Sequence, residues 1–237
     1  AAVGFVFTVI LARTFGPEQF GIFSAITALV AIVYSLGDLG IASALINFIP
    51  KLKDKRSVLI STSFWFEIIV GAITLILFFV FALFRQYIIP GSLTNQILIA
   101  GFLTVNYIFI SFVQGIFTAE RRFFSYSFTQ IIDAGVKIIL VFILLSLSRL
   151  SIETALLANV VSTILALLIT FGKEILKLKP KYEKEIFQKL FHFAKWIAVS
   201  RTFSVFVSRI DVILLNLLSS SYQAGIFAAA NRITLLF

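Results

Sequence analysis

The chain has 237 residues, of which 60% are hydrophobic and only 13% charged, with a formal net charge of +9 and a mean hydropathy of +1.06. Globular domains sit nearer half apolar and a quarter charged, so the composition argues against a soluble enzyme and for a polytopic membrane protein. Cysteine is absent and histidine occurs once, as His192, which excludes disulfide frameworks, thiolate chemistry and multi-histidine metal sites. No metal and no cofactor is expected.

A bilayer core of about 30 Å takes about 20 apolar residues of helix. Runs that meet this fall at about 1–14, 20–49, 57–84, 95–118, 123–147, 151–172, 190–218 and 222–237, which predicts seven or eight spans, counting the clipped ends. The runs are too long for barrel strands and lack period-two alternation. The fold class is therefore all-α, a polytopic helical bundle. Methionine is absent, and Ala1–Phe7 reads as the middle of a helix, so the chain is expected to be a piece of a longer protein. The second run is too long for one straight crossing, and Gly37-Asp38-Leu39-Gly40 interrupts it. A tilted or kinked helix is expected there.

The loops sort by charge. Lys51, Lys53, Lys55 and Arg56 follow the second run, Arg121 and Arg122 the fourth, and Lys173, Lys177, Lys179, Lys181, Lys184 and Lys189 the sixth. The alternate loops hold only Arg13, Arg85 and Arg149, so twelve basic residues face three. The positive-inside rule assigns the heavy side, and the N-terminus, to the cytoplasm of a multi-pass protein in the inner or plasma membrane. The net charge then marks topology and anionic headgroups, not nucleic acid. Residues 173–188 form a basic amphipathic stretch divided by Pro180, with Ile175, Leu176, Leu178, Ile186, Phe187 and Leu190 on its apolar face. It is expected to be a cytoplasmic linker of interfacial helices, with lysines reaching for headgroups.

One repeat is visible. Gln19-Phe20-Gly21-Ile22-Phe23-Ser24-Ala25 recurs 204 residues later as Gln223-Ala224-Gly225-Ile226-Phe227-Ala228-Ala229. Six runs separate the copies, and an even number makes the repeat parallel. The plainer alternative is a common turn between two apolar helices. The repeat predicts a six-helix lobe over 1–172, the linker over 173–188, and the start of a second, truncated lobe over 189–237.

Seven ionisable residues are expected to lie within the membrane, Asp38, Glu67, Asp133, Lys137, Arg201, Arg209 and Asp211, with Arg232 a candidate eighth. Each costs about 2.5–3.5 kcal/mol at the centre of an isolated helix, so they are expected to face a bundle interior or a wet cavity. Tyr126, Gln130, Asp133 and Lys137 share one helical stripe by their spacing of four, three and four. That stripe reads either as an ion pair joining helices or as the polar wall of a cavity, with Lys137 turned to an anionic substrate. Arg201, Ser204, Ser208 and Asp211 share a face, with Arg209 beside it. Two guanidinium forks suit phosphate; the alternative is pairing of Arg209 with Asp211 or Asp133. Asp38 is a candidate cap for the break between two glycines. Glu67 lies with Ser63, Gly71 and Thr74 on a small, polar face suited to close packing. Asp38, Glu67, Asp133 and Asp211 are the candidates for coupling a proton or sodium ion. Asn106, Gln114 and Asn159 read as interhelical hydrogen bonds or as contacts to sugar hydroxyls.

No phosphate-binding loop, dinucleotide fingerprint or Ser-His-Asp set occurs, so a transporter is expected and not an enzyme. Ile10-Leu11-Ala12-Arg13-Thr14-Phe15-Gly16-Pro17-Glu18-Gln19-Phe20-Gly21-Ile22-Phe23 resembles the opening signature of the polysaccharide-biosynthesis (Wzx-type) flippases, as does Gly37-Asp38-Leu39-Gly40-Ile41-Ala42-Ser43-Ala44-Leu45-Ile46. Arg209-Ile210-Asp211-Val212-Ile213-Leu214-Leu215, leading to Ala224-Gly225-Ile226-Phe227-Ala228-Ala229-Ala230-Asn231-Arg232-Ile233, resembles the start of that family's second lobe. The resemblance implies two six-helix lobes around a central cavity that opens alternately to each side. It also implies a lipid-linked oligosaccharide on a polyprenyl pyrophosphate, moved to the outer leaflet. Under it the cationic roles fall on Lys137, Arg201 and Arg209, with Arg13 at an outer gate and Gln130 and Asn106 as polar contacts. The alternative within the same superfamily is a cation-coupled drug or metabolite antiporter, which would depend on the carboxylates.

Overall fold

In hydrocarbon every backbone N–H and C=O must be satisfied inside its own segment, so long runs of Ile, Leu, Val and Phe fold as helices. A computed structural model describes residues 2–175 and 183–234, and among these there are helices and turns but no strand. In chain order the helices are α1 (Ala2–Gly37), α2 (Ile41–Phe48), α3 (Arg56–Leu83), the one-turn α4 (Arg85–Ile88), α5 (Thr94–Ala119), α6 (Phe123–Ser146), α7 (Ile152–Ile175), α8 (Lys184–Leu218) and α9 (Ser221–Thr234), with a 3-10 turn at Lys53–Lys55 before α3. Among the described residues five segments are long and apolar enough to cross a membrane: Val6–Gly37, Lys53–Leu83, Thr94–Ala119, Phe123–Ser146 and Ile152–Gly172. The chain is a multi-pass membrane protein. The eight expected runs reduce to these five for three reasons. The first two runs form one folded segment and α8 carries too many charges, while the described part of the last run, α9, has only 14 residues.

The fold in α1 lies at Gly16, whose φ of 70° and ψ of 174° are not helical. A side chain rarely tolerates that φ, and Pro17 can only open a helix, so the pair ends one arm and starts the next. The ring centroids of Phe7 and Phe23 are 6.5 Å apart. A straight helix would separate these residues by about 24 Å. The arms 2–15 and 17–37 are therefore a hairpin, with Phe15 also against Phe23 at 6.1 Å. The expected break at Gly37–Gly40 is present: Leu39 and Gly40 have φ of 40° and 72°, and α2 restarts after them. Asp38 does not cap that helix with its side chain.

Two apolar cores result. One gathers Phe7, Leu11, Phe23, Ile26, Phe78, Leu103 and Leu156 around the α1 hairpin. The other gathers Leu45, Leu59, Phe112, Phe117, Phe171, Ile186 and Leu190 at the basic end of the bundle. At that end, Arg56 pairs with Glu120 and, at 3.7 Å, with Glu174, while Arg122 pairs with Glu174 and, at 3.4 Å, with Glu120. This closed network ties the ends of α3, α5, α6 and α7 together. Burial works against the Arg122 cation, but the hydrogen bonds and charges of Glu174 and Glu120 prevail and raise its pKa.

The linker differs from expectation at its far end. Helix α8 starts at Lys184, because Ile186, Leu190 and Ala194 bury one stripe against the basic-end core. The expected interfacial face there is a continuation of the long helix. At 35 residues α8 is about 52 Å long, longer than a bilayer core. Residues 176–182, with Pro180, Leu176, Leu178, Lys177, Lys179 and Lys181, lie outside the described residues.

Candidate functional site

The two copies of the repeated heptapeptide lie against each other. A Cβ added at Gly21 would fall on the carbonyl oxygen of Ser221 and within 2.9 Å of the Gly225 nitrogen; one added at Gly225 would fall on the carbonyl oxygen of Pro17 and 3.1 Å from the Gly21 nitrogen. Ser221 follows Pro17 by the same 204 residues that separate the two glycines. The contact is thus reciprocal: each glycine points a Cα–H at the carbonyl of the other copy. Only glycine allows backbones this close, as in small-residue packing of membrane helices.

Below this contact is a cavity of about 410 Å³, within the roughly 300–1,000 Å³ range of small-ligand sites. The hairpin arms of α1 contribute Thr8, Ser24, Thr27 and Tyr34, α5 contributes Tyr107, and single polar residues come from α6 (Lys137), α7 (Asn159) and α8 (Arg209). Phe7, Phe20, Phe23, Val30 and Leu103 supply apolar wall. A smaller space of about 30 Å³ adjoins it, bounded by Ser24, Thr27, Arg209 and Asn231.

The two cavity cations differ in their surroundings. Lys137 Nζ is 3.1 Å from Asp133 Oδ2, one helical turn away, and 5.9 Å from the centre of the Phe7 ring. Ser162 donates to Asp133 Oδ1 at 2.7 Å from α7. Arg209 makes no ion pair or hydrogen bond among the described residues, and Asp211 is exposed and does not line the cavity. Neither pairing weighed for Arg209, with Asp211 or with Asp133, is formed among the described residues.

Arg201 is engaged elsewhere. Its Nη1 donates to Asp38 Oδ2 at 2.6 Å and its Nη2 to the Tyr34 hydroxyl at 3.0 Å. Ser111 donates to the other Asp38 oxygen at 2.7 Å, and Asp38 is fully buried. Next to it Thr202 donates to the Ser35 carbonyl at 3.0 Å. These bonds join α8 to α1 and α5 at the cavity edge nearer the basic end, through Tyr34, which also lines the cavity.

The other candidates are dispersed. Glu67 is fully buried on α3, and neither carboxylate oxygen nor the Ser63 hydroxyl has a hydrogen-bond partner among the described residues. Asn106 donates to the Val160 carbonyl at 3.3 Å and to Thr163 at 3.1 Å, an interhelical bond. Asn159 lines the cavity, with its amide donating to Ala155 in its own helix. Gln130 and Arg13 are exposed and do not line the cavity. Tyr34, Tyr107, Ser111, Ser162 and Thr202 were not singled out by the sequence. Tyr34 stands four residues before Asp38, a same-face spacing that was available as a signal. The rings of Tyr34 and Tyr107 meet edge to face at 6.1 Å.

The whole chain, residues 1–237, matches the family described as Polysaccharide biosynthesis protein. A solved structure described as "protein A" is similar, with a TM-score of 0.75 at 13% identity, covering 98% of this chain and 57% of that one. This chain thus spans a little over half the length of that structure, and the likeness at such identity is one of fold. Comparison with curated proteins gives no match.

Proposed function

This chain belongs to the polysaccharide biosynthesis protein family of Wzx-type flippases and exporters, and on that premise we propose that it moves a polyprenyl-pyrophosphate-linked oligosaccharide from the cytoplasmic to the outer leaflet. In this reading residues 1–172 are the first lobe of a cell-membrane flippase with a cytoplasmic N-terminus, and residues from 189 begin the second. The supporting observation is the cavity between the α1 hairpin and α8, where Arg209 carries a positive charge that nothing in the described protein neutralises. A pyrophosphate with several sugars cannot cross hydrocarbon unaided. A cavity with one free guanidinium, one lysine and several hydroxyls replaces its water, while the prenyl tail stays in lipid. Arg209 takes the pyrophosphate, and Lys137, half-committed to Asp133, assists. Arg201 holds the lobes together through Asp38 and Tyr34. Release to the outer leaflet parts the Gly21–Gly225 contact.

The test uses the protein at its full natural length in proteoliposomes, with a labelled polyprenyl-pyrophosphate saccharide. Transfer to the far leaflet is expected for the wild type. A charge-assisted hydrogen bond is worth about 1.5–3 kcal/mol, so Arg209→Ala should lower the rate tenfold or more, and Lys137→Ala less. No transfer above empty liposomes overturns the proposal. The second reading, a cation-coupled antiporter, draws on Glu67, a buried carboxyl without a donor. Cation efflux lost in Glu67→Gln, without lipid transfer, would favour it.

A further inference from the structure

A second cationic recess lies at the basic end of the bundle and shares no residue with the central cavity. It is a dish of about 620 Å³ between the end of α2, the 3-10 turn and the α5–α6 corner. Lys53, Arg56 and Arg121 rim it together with the Glu120 carboxylate, which Arg56 and Arg122 engage, and Ile49, Pro50 and Ala119 give it an apolar floor. Its charge can be assigned residue by residue. Arg56 and Arg122 are answered by Glu120 and Glu174. Lys55 pairs with Glu183 at 3.6 Å, and Lys51 bonds Asn47. Asp54 is exposed and does not line the dish. Lys53 and Arg121 have no partner among the described residues, so the recess carries two uncompensated positive charges.

Arg121 adds an independent observation. Its φ is 58°, a left-handed conformation uncommon for a residue with a Cβ. The Arg121 N–H bonds the Thr118 carbonyl at 3.1 Å and the Arg122 N–H bonds that of Phe117 at 2.8 Å. This pattern closes α5 by the motif in which glycine usually fills the left-handed position. An arginine there works against the local backbone preference, and it sets the guanidinium on the rim of the dish. Backbone strain of this kind gathers at functional positions.

We propose that this recess binds the phosphate of a membrane lipid headgroup in the leaflet at the basic end. The cations match a phosphate, and the apolar floor matches the glycerol and first methylenes that follow it. A free phosphate ion would gain nothing from that floor. About two helical turns deeper, an apolar groove of about 260 Å³ runs between α3, α5 and α7, lined by Phe64, Phe109, Phe112 and Phe171. The headgroup site thus stands over a surface already shaped for chains.

The test is native mass spectrometry of the full-length protein in detergent, titrated with dioleoyl phosphatidylglycerol or with dioleoyl phosphatidylcholine. The anionic lipid is expected to be retained more strongly. Each basic residue near a headgroup is worth about 1 kcal/mol, roughly fivefold, so Lys53→Gln with Arg121→Gly should weaken retention about 20- to 30-fold. Arg121→Gly relieves the left-handed strain, so the variant folds at least as well, and its loss of lipid is not a loss of fold. Arg121→Lys restores binding, and Lys51→Gln leaves it unchanged. Unaltered retention in the double variant overturns the proposal, as does an equal loss in Lys51→Gln, which would mark diffuse surface charge. Displacement of the lipid by equimolar inorganic phosphate overturns the lipid as the source. Binding is read without transport, so the flippase reading can fail while this site stands.

Discussion

The junction between α1 and α8 and the wall of the cavity beside it use the same residue types for opposite ends. At the junction, Asp38, Arg201, Tyr34 and Ser111 satisfy one another across three helices. The glycine contact joins α1 to α9, the helix that follows α8, backbone to backbone. At the wall, Lys137 is ion-paired within its own helix and Arg209 is unbound among the described residues. Charge inside a membrane is costly wherever it stands. The junction recovers that cost within the protein, whereas the wall leaves part of it to be met by another molecule.

The largest effect should come from cutting the junction on its cationic side. Arg201→Ala leaves Asp38 fully buried with Ser111 as its only neighbour in the network. Breaking a buried pair by removing one partner costs about 3–5 kcal/mol. The midpoint of thermal unfolding in detergent should fall steeply, and Arg201→Gln combined with Asp38→Asn should recover much of it. If Arg201→Ala unfolds like the wild type, the pair is no structural junction and Arg201 returns to the substrate candidates. A smaller loss is expected at the glycine contact. Gly21→Leu forces a side chain into the Ser221 carbonyl, and overpacking costs about 1–3 kcal/mol. Gly225→Leu should cost about the same, because the contact is reciprocal. Unequal losses would break that symmetry.

Much of this architecture could be read from composition and spacing. The helices, the break at Gly37–Gly40 and the Asp133–Lys137 pair follow from periodicity and local neighbours, which a sequence carries explicitly. The repeat places both glycines at the same position in its two copies, but that the copies touch is seen only in the fold. What the sequence does not carry is which distant groups meet. Asp38 and Arg201 are 163 residues apart, and no local rule links them. Arg201 and Arg209 look equivalent on one helix, yet an offset of eight residues puts one in the junction and the other in the cavity. The start of α8 at Lys184 was also hidden, because an amphipathic basic stretch has the same pattern whether it lies on a membrane or on a protein core.

The smallest change in stability should come from Arg209→Gln, and it sharpens the comparison most. Arg209 has no ion pair among the described residues to lose, so its replacement should leave unfolding within about 0.5 kcal/mol of the wild type. Ligand response is the quantity that should change. A polyprenyl-pyrophosphate saccharide that binds the folded state stabilises it by RT ln(1 + [L]/Kd), about 2.7 kcal/mol at a hundredfold excess over Kd. The wild type should show that upward shift, and Arg209→Gln should lose most of it while unfolding normally without ligand. Arg201→Ala should do the reverse, starting low but still rising with ligand. If instead Arg209→Gln unfolds early and keeps its ligand shift, then the wall, like the junction, serves the fold, and the anion must be held elsewhere.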